Sequence, residues 1–343
     1  MKFGLIYDFR NPARWRRPWV EFYARMLDQV VEAEALGYDH VWLTEHHFVD
    51  DGYLPSIVPV AGAIAARTKR IRIGSDIMIL PFQDPVRIAE DLAVVDILSG
   101  GRFDLGVGQG YRAEEFRAIR MDRRERHART RESVELIQRL WTEDDVTFAG
   151  RYYRVDGVTI SPRPVQQPHI PIWIGARTEK AMQRAARNGH HLTTTLGPDL
   201  SQLWRRALEQ CGRDPAAAHM MGLTPAFVAR TSDEAWRAVQ DHLHYQMKLY
   251  ADWLGEANDA EGDQHVWDYE RAEDVRKSEF GQGLPIGTPE EVTEKLRALT
   301  AQTRPTHMAL LMQFPGADPD AGSQSLRLFA EQVMPHFRTE QRA

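Results

Sequence analysis

A carboxylate and two imidazoles stand side by side at Glu45, His46 and His47, directly after the apolar run Val41-Trp42-Leu43-Thr44 and just before Phe48. A buried strand that ends this way delivers all three titratable groups to one rim. Imidazole changes charge near neutral pH, so the trio suits hydrogen bonding to a bound cofactor and proton exchange with it. Metal ligation is the other chemistry open to these residue types. Adjacent residues of an extended segment face opposite ways, however, and one segment does not easily give both histidines to one ion. We therefore expect proton traffic rather than a metal centre.

Two further stretches have the composition of ligand sites. Gly106-Val107-Gly108-Gln109-Gly110 has glycines at a strand end, where missing side chains let a flat ligand approach the backbone. It is not a dinucleotide fingerprint, because the third glycine follows the second by two residues instead of three. Thr178, after Ile174-Gly175-Ala176-Arg177 and ahead of a helical pattern, offers a hydroxyl, a cation and the free amides of a first turn, the parts of a phosphate site. A plain helix cap would use the same threonine. The arginine-rich run from Arg112 to Arg131 is diluted by Glu114, Glu115, Asp122 and Glu125 and reads chiefly as a solvated helical face. Trp253 and Trp267, around a charge-dense stretch at 255–283 that loses periodicity, suggest a cover over an apolar pocket.

Strands and helices must position these groups, and the apolar spacing alternates between the two some eight times. Lys2–Asp8, the focal strand, Arg70–Leu80, Arg102–Val107, Pro171–Gly175, His190–Thr195, Leu223–Ala229 and His307–Phe314 read as strands. Helical patterns separate them, among them Trp19–Leu36 stopped by Gly37, and a helix opened by Asp84-Pro85. Val146–Ile160 reads as a hairpin excursion, and a last helix covers about Gln324–Phe337. This order predicts a (β/α)8 TIM barrel with insertions, a single domain over 1–343, with a doubly wound open sheet as the competitor. In a barrel the loops after the strands share one face. Glu45-His46-His47, Ser75-Asp76, Gln109-Gly110, Ala176-Arg177-Thr178 and His190-His191 are then expected to converge.

The chain is 43% hydrophobic and 27% charged with a net charge of -6, an ordinary globular composition that gives no reason to expect nucleic acid or an anionic membrane as partner. A single cysteine, Cys211, excludes an internal disulfide framework, and charged residues from Asp8 to Arg17 interrupt any signal-like apolar core. A cytoplasmic protein is expected.

Taken in order, Met1-Lys2-Phe3-Gly4, Val41 to Phe48, Leu80-Pro81 with Asp84-Pro85-Val86-Arg87, Gly101-Arg102-Phe103, Ile286-Gly287-Thr288-Pro289-Glu290-Glu291 and Val333-Met334-Pro335 resemble the bacterial luciferase-like family of flavin-dependent monooxygenases over nearly the whole length. The resemblance implies a TIM barrel, usually a homodimer. It also implies reduced FMN supplied by a separate flavin reductase, and O2 used to oxygenate a small organic substrate. His46 matches the histidine tied to catalysis, with Glu45 or Glu115 orienting it or sharing its proton; the position of Glu115 is an Asp in luciferase. A non-proline cis peptide under the flavin would fall at Asp76-Ile77, next to Ser75. The cofactor is expected to lie against Ser75, Asp76, Ile77, Gly108, Gln109 and Gly110. Gly108 replaces luciferase's reactive cysteine, which implies more room over the flavin. Gln109 replaces its phosphate-binding arginine, which shifts the phosphate to Arg177 and Thr178. F420 enzymes share this barrel, and Glu45-His46-His47-Phe48 is closer to the FMN branch. A non-catalytic flavin-binding subunit is the remaining alternative, and such a subunit has no need to keep both histidines.

Overall fold

The strand that carries the focal residues sits between two others in a closed parallel ring. In the computed structural model, which describes residues 1–257 and 269–338, the ring consists of β1 (Lys2–Tyr7), β2 (His40–Leu43), β3 (Arg72–Ser75), β4 (Phe103–Gly108), β5 (Ile172–Gly175), β6 (His191–Thr195), β7 (Met220–Pro225) and β8 (His307–Leu311). Each pairs with its sequence neighbours, and β8 returns to β1 with Lys2 opposite His307 and Leu5 opposite Leu310. This is the expected (β/α)8 barrel, and the open sheet is excluded by that last pairing.

Helices wrap the ring where the sequence stops and starts them. α1 (Trp19–Leu36) ends at Gly37, whose left-handed conformation (φ 88°) brings its amide to Ala33 and Glu34. α2 (Ile57–Arg67) and α3 (Pro85–Ser99) follow β2 and β3, and Asp84 opens α3 by accepting from the amides of Val86 and Arg87. α4 (Ala113–Ala118) and α5 (Arg126–Thr142) divide the arginine-rich region that reads as a helical face. The hairpin forms as expected, from Val146–Ala149 and Arg154–Val158. α6 (Glu179–Arg187), α7 (Pro198–Gln210) and α8 (Ser232–Ala257) follow β5, β6 and β7.

Four local readings are corrected. The run Arg70–Leu80 is broken into β3 and a two-residue strand, Met78–Ile79, by the turn at Asp76-Ile77. Strand seven begins three residues earlier than Leu223, because Met220 pairs with Leu192. The last helix begins at Pro319, capped by Asp318, five residues ahead of Gln324. Within 255–283, residues 258–268 and Trp267 lie outside the described residues. The remainder is not aperiodic: α9 (Ala272–Lys277) and α10 (Glu279–Gly283) bury Val275 and Gly281, and Arg276 reaches Asp233 of α8 at 2.6 Å. Short helices of one or two turns give too few residues for a period to register.

His190 and His191 are the fifth correction. His191 starts β6 and His190 immediately precedes it, so both lie at the end of the barrel opposite Glu45-His46-His47. There His191, His219 and His307 crowd Trp173 at ring distances of 4.8, 6.0 and 5.2 Å, and His40 lies 5.4 Å from His307. Burial pushes all four imidazoles down, helped by Lys2 at His40, His219 and His307 and by His219 and Arg213 at His191; His40 and His191 fall to about 3. This floor is held neutral.

A histidine kept neutral by folding stabilises the fold above the unfolded pKa of about 6.5 and loses that contribution as pH falls through it, because only the unfolded chain takes the proton. Each such group costs about 1.4 kcal/mol per pH unit below that point. His307→Asn should therefore narrow the acid loss. Between pH 8 and pH 5 the wild-type protein should lose about 2 kcal/mol more unfolding free energy than the variant, as read from urea unfolding. Equal losses would show that His307 takes up its proton in the folded protein.

Candidate active site

The segment leaving β2 rises to the C-terminal mouth of the barrel, where Thr44 N bonds Tyr7 O and His46 N bonds Leu54 O. His46, 6% exposed, places Nδ1 2.9 Å from Glu115 Oε1. Glu115 is fully buried on α4, and the same oxygen accepts the His47 amide at 2.8 Å and Arg112 Nη1 at 3.3 Å. Arg112 also donates to His47 O at 2.7 Å and to Glu114 at 3.0 Å. Burial alone would raise the Glu115 pKa, but His46, the His47 amide and Arg112 together hold it below the usual carboxylate range. Burial lowers the His46 pKa, and Glu115 restores only part of it. At neutral pH the pair is thus an ionised carboxylate and a neutral imidazole. Glu115 has no proton to give, so His46 carries its proton on Nδ1 and leaves Nε2 bare, 3.3 Å from the Tyr111 hydroxyl, which donates to it.

His47 turns the other way, as alternation predicts. Its Nε2 lies 2.8 Å from Glu45 Oε1, and its ring faces Phe82 at 5.6 Å. Burial pulls the His47 pKa down, but the Glu45 hydrogen bond and charge outweigh it, and the net shift is upward. Glu45 therefore serves His47, and Glu115 serves His46.

Aromatic rings surround His46: Tyr53 at 4.8 Å, Trp253 at 4.9 Å, Tyr111 at 5.4 Å and Tyr250 at 6.2 Å. Tyr250 and Trp253 come from α8, and Tyr53 and Tyr250 share a hydroxyl contact of 2.8 Å. Trp253, one of the two tryptophans expected to form a cover, is 5% exposed under the Arg112 guanidinium at 4.2 Å.

The mouth's floor is built from β3, β4 and β6. The Asp76-Ile77 peptide is cis, at the position the resemblance implies. Asp76 accepts from Thr193 Oγ1 at 2.7 Å, and burial pushes its pKa up to about 7. The room expected over a cofactor at Gly108 is already taken: a Cβ there would lie 1.6 Å from Ile77 Cδ1. Glycine is needed at 108 because Ile77 packs against the backbone. Ser75 lies deeper, its hydroxyl donating to Gly106 O at 2.7 Å and accepting from Gly106 N at 2.9 Å, so its one proton is already committed. Gln109 is half-buried, and Gly110 turns the chain at φ 73° against Ile79 and Phe116. At the neighbouring strand end Arg177 and Thr178 are exposed. Thr178 stands at the N-cap of α6 in extended conformation without a side-chain cap bond, which leaves its hydroxyl and the first-turn amides for a ligand.

Sequence reasoning missed Arg10, Asp51 and Tyr53. In the sequence Arg10 counts only among the charges that interrupt a signal-like apolar core. The available signal was its place two residues beyond Asp8, at the end of the first strand, on the same rim as Glu45.

The profile of the luciferase-like monooxygenase family matches residues 1–307. The oxygenase component of a flavin-dependent trigonelline monooxygenase from Acinetobacter baylyi is 26% identical over 92% of this chain and 90% of its own. An F420-dependent glucose-6-phosphate dehydrogenase from Microbacterium testaceum is 30% identical over 91% of this chain and 93% of its own. Among solved structures, the monooxygenase RslO1 of Streptomyces bottropensis superposes with a TM-score of 0.81 at 29% identity, over 98% of this chain and 100% of that one. With that match across the barrel and the site at its C-terminal mouth, the chain belongs to the luciferase-like monooxygenase family of flavin-dependent oxidoreductases.

Proposed function

We propose that the protein is a monooxygenase that takes reduced FMN from a separate flavin reductase and uses O2 to oxygenate a small organic substrate. The carrying observation is the buried His46–Glu115 pair, whose bare Nε2 faces an aromatic pocket closed by Trp253. The residues present fit an FMN. A flat ring system has a floor at Asp76, Ile77, Gly108, Gln109 and Gly110, and a phosphate has the uncapped first turn of α6 with Thr178 and Arg177. Ser75 supports that floor from beneath instead of touching a ligand.

Bound reduced FMN supplies the electrons that activate O2 for oxygen insertion. The chain supplies position, dryness and a proton site. His46 Nε2 takes up or returns a proton in the pocket; Glu115 fixes the tautomer and stabilises the imidazolium when it forms. Tyr53, Tyr250 and Trp253 exclude water around that nitrogen. Glu45 and His47 are positioning residues: they tie the segment after β2 to the turn after β3, where Glu45 Oε2 meets the Ile79 amide at 3.4 Å. A homodimer is part of this reading, and α3 offers Val94, Ile97 and Leu98 as an exposed apolar strip. The second reading is an F420-dependent oxidoreductase on the same barrel, favoured by the dehydrogenase from Microbacterium testaceum.

Mixing the protein with reduced FMN and a flavin reductase in oxygenated buffer separates the two. The expected result is FMN bound by the protein, and O2 uptake that ends in an oxygenated product when a substrate is present. Hydride transfer to oxidised F420, with no oxygenated product from reduced FMN, would establish the second reading. His46→Ala is expected to fold and lose about two to four orders of magnitude in kcat, the usual worth of a positioned acid–base group. His47→Ala should lose far less; the reverse order would exchange their roles.

A further inference from the structure

A cation lies beside this pocket with its hydrogen-bonding edge unused. Arg10, just beyond β1, is 1% exposed and donates Nε to Asp51 Oδ2 at 2.7 Å. Its terminal nitrogens Nη1 and Nη2 make no hydrogen bond of good geometry within the protein, although the Tyr245 hydroxyl is near enough to interact with the guanidinium. Tyr53 and Tyr245 each have a ring centroid 5.2 Å from the guanidinium carbon. Ring contacts of this kind satisfy the faces of a guanidinium and do nothing for its N–H edge. Buried N–H groups of a charged side chain are costly to leave unpaired, so two on one residue ask for a partner that arrives from outside.

The surroundings hold Arg10 in place before any ligand comes. Asp51 Oδ2 also accepts the Tyr245 hydroxyl at 3.0 Å, and Asp51 Oδ1 accepts the Tyr53 amide at 3.1 Å. Asp8 accepts the Arg10 amide at 3.1 Å. These carboxylates keep the guanidinium charged, and the rings keep it from swinging into solvent. Tyr53 neighbours both Arg10 and the candidate catalytic side: its ring meets His46 at 4.8 Å and Trp253 at 6.3 Å, and Trp253 in turn meets Tyr250 at 5.3 Å, so these aromatic faces adjoin the guanidinium.

We propose that Arg10 binds the substrate, and that the substrate is an aryl carboxylate whose two oxygens pair with Nη1 and Nη2 while its ring lies among Tyr53, Tyr250 and Trp253 beside His46. This rests on the monooxygenase reading and adds the class of compound to it. A planar carboxylate matches two parallel N–H donors, whereas a neutral carbonyl uses only part of the edge. Aromatic walls favour a ring over an alkyl chain. Asp8 and Asp51 oppose a further negative charge nearby. Burial raises the Asp8 pKa to about 6, so Asp8 can take up a proton as the anion docks.

Calorimetric titration of the FMN-loaded protein with benzoate, cinnamate and 2-naphthoate, each against its primary amide, tests this. At least one acid should bind about tenfold or more tighter than its amide, and Arg10→Lys, which keeps charge and loses the fork, should reduce that preference below about threefold. Asp51→Asn, which frees Nε and loosens the guanidinium, should reduce it at least about threefold, and serves if the lysine variant does not fold. No acid preference in any pair, or a preference retained in the variants, would overturn the assignment. FMN affinity is read in parallel. Failure of FMN to bind counts against the flavin reading alone, and the acid and amide titrations are then compared without it.

Discussion

One carboxylate oxygen organises the C-terminal mouth of the barrel. Glu115 Oε1 receives His46 Nδ1, the His47 amide and Arg112 Nη1, which brings the segment after β2, the start of α4 and, through Arg112 over Trp253, the end of α8 to one point. A fully buried carboxylate is tolerated only when its charge is matched in this way, and removing one partner of such a cluster typically costs about 3–5 kcal/mol. The same requirement sets the chemistry. The ionised Glu115 dictates which nitrogen of His46 is protonated, and burial keeps the ring neutral and ready to accept a proton.

The two ends of the barrel use histidine in opposite ways. At the N-terminal end His191, His219 and His307 pack around Trp173 and His40 packs against His307, with no carboxylate hydrogen-bonded to any of them among the described residues, and burial keeps them uncharged. At the C-terminal end each histidine has its own carboxylate, His46 with Glu115 and His47 with Glu45. The first arrangement closes the barrel with aromatic surface; the second prepares a proton site. Catalytic residues at the C-terminal ends of strands and stability at the other end are the usual division in this fold.

Much of this was legible in the residues. Glu45-His46-His47 marked the candidate site, because an apolar strand ending in three titratable groups delivers them all to one rim. Alternation separated His46 from His47, and Gly37 and Asp84-Pro85 placed helix ends. Which of Glu45 and Glu115 would partner His46 was not legible, and Glu115 itself was marked only by the resemblance. Glu115 lies 69 positions from His46, and nothing local distinguishes it from Glu114; burial on a six-residue helix makes the difference. Gly108 was misjudged for a related reason. A glycine signals missing volume, but only tertiary packing shows that Ile77 fills it. Arg10 was invisible as a site residue because an arginine after a strand is ordinarily solvated, and the rings that bury it come from Tyr53 and from Tyr245 of α8.

The protonation of His46 is the point on which the reading of the site turns. Nitrogen-15 NMR of the histidine-labelled protein, with the His46 signals assigned by their loss in His46→Gln, reports each ring nitrogen separately. At pH 7 the ring should be neutral with its proton on Nδ1 and Nε2 bare, and it should stay so below the ordinary histidine pKa of about 6.5. An imidazolium at pH 7, or a neutral ring protonated on Nε2, would contradict the assignment of Glu115 as the ionised partner and of His46 as the pocket's proton acceptor.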